Sequence, residues 1–147
     1  MNETLNTWVK NGWLTEHTTS SQEVSELLAV ADRDLKDAQI EGISFDARLS
    51  IAYSAIIQCA KIGLALCGYR ASRDAAHYRG VQSLALTLNI SPELVRKLND
   101  FRKKRNLLEY DRIGAVSQKE VAEILSLAYE IREKVEKQIN RELKEKL

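Results

Sequence analysis

The sequence predicts an all-α fold, an up-and-down antiparallel helical bundle of four long helices and a shorter one, and three observations carry that expectation. Pro92 is the single proline in 147 residues, so long stretches can run as helix without a break. Apolar residues return every three or four positions through most of the chain, the spacing of one helix face. Serines stand where those stretches begin, and two of them are followed three residues later by Glu, the pattern of a capping box. A composition of 44% hydrophobic and 29% charged residues suits a chain of this length that buries one core without staples.

Residues 1–19 read as an N-terminal extension, a short helix or turn around Asn11-Gly12 packed by Trp8 and Trp13, and residues 20–147 as the bundle. Ser20 with Glu23 opens the first long helix, whose apolar face runs through Val24, Leu27, Leu28, Ala31, Leu35 and Ala38 until Gly42. Ser44 can cap the second, which ends near Gly68. That helix is apolar on nearly every side, which places it at the bundle centre or in a subunit interface.

Ser72 can cap the shorter helix, with Tyr78, Val81, Leu84 and Leu88 facing inward until Asn89. Ser91-Pro92 is a capping residue followed by Pro at the first helical position, and Leu94, Leu98, Phe101 and Leu108 follow. Gly114 interrupts the chain. Ser117 with Glu120 then opens the last helix, through Val121, Ile124, Ala128, Ile131, Val135 and Ile139. From Arg132 onward charges of alternating sign predict a solvated helix supported by local ion pairs.

Bulk properties exclude more than they select. A net charge of +1 gives no general pull toward polyanions, so a nucleic-acid surface has to come from local clustering. Cys59 and Cys67 are eight apart, about 12 Å along a helix axis, too far to pair. They read as two buried small side chains in a reducing, cytoplasmic compartment. No basic-then-apolar leader opens the chain and no run approaches the ~20 apolar residues of a membrane span, so neither export nor a membrane is expected. His17 and His77 are the two histidines, with no Cys or His at ligand spacing, which argues against a metal site; there is no Gly-rich phosphate loop, and no cofactor is expected.

The chemistry concentrates in Phe101-Arg102-Lys103-Lys104-Arg105-Asn106-Leu107-Leu108-Glu109-Tyr110-Asp111-Arg112. At 100° per residue Leu94, Leu98, Phe101, Arg105 and Leu108 share a narrow arc, so Arg105 falls in the middle of the apolar stripe. An unpartnered buried charge costs several kcal/mol, so Arg105 must be paired or must face a cleft. One reading pairs it with Glu109 at i, i+4 while Lys103 and Lys104 solvate the outer face. The other has Arg105, Arg102 and Asn106 line a polar cleft for phosphate, to which the planar guanidinium fork is suited. A second basic group, Tyr69-Arg70, Arg73 and His77-Tyr78-Arg79, mixes aromatic and cationic side chains at the connection before the shorter helix, suited either to packing or to a base and its phosphate.

The run Arg105-Asn106-Leu107-Leu108-Glu109-Tyr110 resembles the motif of the HEPN superfamily, small helical proteins associated with RNA and nucleotides, in which Arg and a polar residue precede a His by a short helical interval. The order of elements from Ser20 to about Ile139 is similar to that superfamily, and His77 resembles a His common near the shorter helix of related nucleotidyltransferase-associated domains.

In active members the resemblance implies a symmetric homodimer whose two motifs meet and cut RNA without metal. Catalytic roles would then fall to Arg105, Asn106 and the residue at Tyr110, and Arg102, Arg105, His77 and Arg79 would contact phosphate or RNA. The last motif position departs from the pattern: Tyr110 stands where His is expected, and a phenol of pKa about 10 is a poor general base at neutral pH. Two readings follow. One is an RNA-targeting endoribonuclease, the toxin-like half of a toxin–antitoxin pair with a nucleotidyltransferase-like partner. The alternative is a catalytically silent module that binds a nucleotide or a partner protein.

Overall fold

The computed structural model describes residues 4–73, 76–108 and 116–146, of which 76, 77, 108 and 143–146 are described in backbone only. Among the described residues the chain is an all-α bundle of six helices with one two-stranded ribbon. The order is α1 (Leu5–Lys10), β1 (Leu14–Glu16), α2 (Ser21–Asp37), α3 (Phe45–Leu66), β2 (Tyr69–Ala71), α4 (Ala76–Thr87), α5 (Pro92–Leu108) and α6 (Gln118–Lys146).

The helix starts follow the serines. Ser20, Ser44 and Ser91 each accept from the backbone N–H three residues on, at 3.1, 3.1 and 3.2 Å. At α6 the capping box closes in both directions: Glu120 N–H donates to Ser117 Oγ at 3.2 Å, and Ser117 N–H donates to Glu120 Oε1 at 3.0 Å. At α2 only half of the box forms. The Glu23 carboxylate instead accepts from Thr19 Oγ1 and meets His17 Nε2, each at 2.7 Å. Removing the best-formed cap, by Ser117→Ala, is expected to cost about 1 kcal/mol. The readout is a lower urea midpoint at unchanged slope.

The ends differ more from expectation. α2 stops at Asp37, five residues before Gly42, and Gly68 with φ 91° turns the chain out of α3. The Ser72 hydroxyl donates to the Gly12 carbonyl at 2.8 Å and its N–H to the Trp13 carbonyl at 2.9 Å, while the start of α4 that it was expected to cap lies outside the described residues. These bonds continue the ribbon, in which β1 and β2 pair antiparallel with Leu14 opposite Ala71 and Glu16 opposite Tyr69. The N-terminal segment is thereby fastened to the bundle, with buried Trp8 and Leu14 packed on Leu64 of α3.

α3 is the centre. It packs against α2, α4, α5 and α6, and twelve of its residues are buried. Its length and hydropathy also meet the composition of a membrane span, contrary to the expectation that no run would. Two thirds of that window (67%) is buried inside the fold, the state of a bundle's core helix. Gly63 lets α4 close on it: a Cβ there would stand 2.8 Å from Thr87 Oγ1. Asn89 in the left-handed region (φ 58°) then turns the chain into α5.

Two sequence expectations about side chains are corrected. Cys59 is buried as expected, but Cys67, in the capping position of α3, is exposed. Arg132 makes more than a local pair with Glu136 on α6. Its guanidinium also grips both carboxylate oxygens of Asp32 on α2, at 2.8 and 3.1 Å, while Val135 and Ile139 beyond it remain buried.

Candidate functional site

The α5 helix enters on Ser91-Pro92 and buries Val95, Leu98 and Phe101 against the core. Arg105 comes one turn after Phe101 and continues that inward stripe. Its side chain is half-buried, with the guanidinium carbon 5.6 Å from the centre of the Tyr53 ring, a side chain on α3 with no exposed surface. The position that periodicity reserved for an apolar residue thus holds a cation resting on an aromatic ring, an arrangement that partly offsets desolvation.

Arg102, one turn earlier, is also half-buried. Its guanidinium carbon is 5.1 Å from the centre of the Tyr78 ring on α4, and its Nε donates to Asn99 Oδ1 at 3.4 Å. Asn106 is half-buried beside Arg105. Lys104 departs from its expected place on a solvated outer face: it is half-buried and paired with Glu120 of α6, while Lys103 is exposed. That pair, with the Ser117 cap, holds the Glu120 carboxyl below the usual carboxylate range.

Arg79 joins the same face from α4. Its guanidinium carbon lies 3.4 Å from the centre of the Trp13 ring, 5.6 Å from Trp8 and 5.1 Å from Tyr78. Trp8 and Trp13 meet edge to face, 5.8 Å between centres. A row therefore runs from Trp13 through Arg79 and Tyr78 to Arg102, beside Arg105 on Tyr53. Tyr78 is 36% exposed, so an aromatic surface open to solvent lies between two guanidinium groups. Neither Arg79 nor Arg102 has an ion-pair partner among the described residues.

Of the residues singled out by sequence, the structure brings Arg79, Arg102, Arg105 and Asn106 onto α4 and α5, with Arg79 and Arg102 sharing Tyr78 and Arg105 on Tyr53. Tyr110, Glu109 and the side chain of His77 lie outside the described residues. The three cavities lined by described residues at the ribbon, beside Asn89 and beside Glu120 do not include Arg102, Arg105 or Asn106 in their walls. Sequence reasoning missed Tyr53 and Trp13. Tyr53 looked like one more apolar residue of the central helix, and Trp13 like a local packing residue; neither carries a signal for its distant arginine. It also assigned nothing to His17, which binds Glu23 at the edge of an apolar-lined cavity.

The Tyr53 environment has an electrostatic consequence. Burial pushes its phenol up to about 12, with the Arg102 and Arg105 charges pulling the other way. The ring therefore stays neutral at physiological pH and serves as a fixed seat for Arg105. No family model matches the chain, and no curated protein or solved structure shows significant similarity to it.

Proposed function

We propose that the chain is an HEPN-type RNA-contacting protein, acting as a homodimer, that holds the phosphates of single-stranded RNA with Arg102 and Arg105 and stacks a base on Tyr78. The observation that carries this reading is the pairing of each guanidinium with a tyrosine ring, Arg105 on buried Tyr53 and Arg102 beside exposed Tyr78. Aromatic contact fixes the plane of a guanidinium, and phosphate oxygens accept its planar fork of N–H donors in pairs. Base stacking on an exposed ring is tolerant of sequence and contributes about 1–3 kcal/mol per base. Arg79 supports the face through Tyr78 while its own plane rests on Trp13.

Cleavage and binding are separable within this proposal. An Arg at the position of developing phosphate charge favours cleavage, and Tyr110 in place of the motif His favours a silent binding module. The test uses the full chain and a fluorescently labelled single-stranded RNA, with binding read by anisotropy and integrity by gel in excess chelator. Bound RNA that is cut by the native chain and left whole by Arg105→Ala identifies the ribonuclease form. Bound RNA that stays whole identifies the silent form, and RNA that does not bind at micromolar protein contradicts the proposal.

A further inference from the structure

A second site, independent of the arginine face, lies under the ribbon. A cavity of about 330 Å³ opens between α2, α3, β2 and α4. Its apolar wall comes from Leu27 of α2 and from Ile57 and Leu64 of α3, while Lys61, Arg70 and Arg73 supply cations. Ile57, Lys61 and Leu64 recur at i, i+4 and i+7 and so share one face of α3. The left-handed turn at Gly68 brings β2 back over that face, and Gly80 of α4 adds to the wall.

Among the described residues that line this cavity, Glu23 is the single carboxylate, and it is already engaged by Thr19 Oγ1 and His17 Nε2, which hold its carboxyl below the usual range. Lys61, Arg70 and Arg73 have no ion-pair partner among the described residues. An apolar hollow at the small end of ligand-site volumes, with several cations and no available counter-charge among the described residues, is complementary to a small molecule with an apolar body and one anionic head.

We propose that this cavity binds a small amphipathic anion, an aliphatic or aromatic carboxylate, with its apolar body against Leu27, Ile57 and Leu64 and its carboxylate between Lys61 and Arg73. Titration calorimetry with octanoate tests it directly, with octanol as the same body without charge and acetate as the head without a body. Octanoate is expected to bind saturably at one site per chain, and octanol and acetate at least about tenfold more weakly, because a charge-assisted contact and the buried body each contribute.

The double variant Lys61→Gln/Arg73→Gln is expected to weaken octanoate at least about tenfold, and Leu27→Trp, which fills the hollow, to abolish it. Circular dichroism and the melting temperature of both variants should match the native chain, since Lys61 and Arg73 are exposed and Leu27 is half-buried at the cavity wall. Absence of saturable binding at low-millimolar octanoate would overturn the proposal. So would equal binding of octanol, or octanoate binding that survives both substitutions in folded protein.

Discussion

Tyr53→Ala is expected to remove about 3–5 kcal/mol of stability, the range for truncating a buried aromatic side chain. Tyr53 is fully buried at the middle of α3, the helix on which four others pack, and its ring is the seat of Arg105. The substitution leaves a hollow in the core and a guanidinium without its aromatic surface, so the two losses fall at one place. For a chain of this size each kcal/mol moves the melting temperature by about 2–4 °C, so a fall of roughly 6–20 °C should be seen by circular dichroism.

The conservative change separates packing from titration. An unfolded tyrosine loses its proton near pH 10, whereas folded Tyr53 is pushed up to about 12, so the neutral ring's advantage is whole below about pH 10 and is lost as pH rises toward 12. Burial pushes the Cys59 thiol up to about 12 as well, which starts the alkaline loss about a unit earlier. Tyr53→Phe should therefore shift the alkaline unfolding midpoint upward. An unchanged midpoint would show that Tyr53 does not carry the effect.

Arg102→Gln/Arg105→Gln is expected to weaken single-stranded RNA about a hundredfold. Each substitution removes a charge-assisted contact of about 1.5 kcal/mol, and about 1.4 kcal/mol corresponds to tenfold in affinity. Glutamine keeps the aliphatic stem through Cγ and a polar head without charge, so the fold should survive, with a melting temperature near that of the native chain. Lys103→Gln is the matching control: Lys103 is exposed on the same helix, outside the tyrosine-backed pair, and its loss should cost much less.

Much of this arrangement is written locally in the sequence, and the remainder depends on partners far along the chain. Four serine caps sit where the helices begin because the cap bond reaches only three residues, and Arg105 faces inward because helical periodicity fixes direction without knowledge of the fold. The uniform apolarity of α3 left the bundle centre or a subunit interface open, and the packing of four helices on it shows that it is central to the bundle. By contrast, Leu14 pairs with Ala71 across 57 residues in strands of three residues each, too short to announce themselves by alternation.

Ser72 shows the same limit. A serine ahead of a helix reads locally as a cap, and only the ribbon reveals that its hydroxyl donates to Gly12. Lys104 and Arg79 also read as solvated or junction charges until Glu120 and Trp13 are brought beside them from α6 and the N-terminal segment. The cationic cavity was illegible for the same reason: its lining residues come from four separate elements.

The claim on which the functional account rests is that Arg102 and Arg105 neutralise RNA phosphates from their tyrosine seats. Its most direct test is the salt dependence of RNA affinity for the native chain and for Arg102→Gln/Arg105→Gln. Each phosphate contact on a single strand contributes about 0.7 to the slope of log affinity against log salt, so the double variant should be shallower by about 1.4. Parallel slopes, with affinity lost equally at every salt concentration or not lost at all, would contradict it.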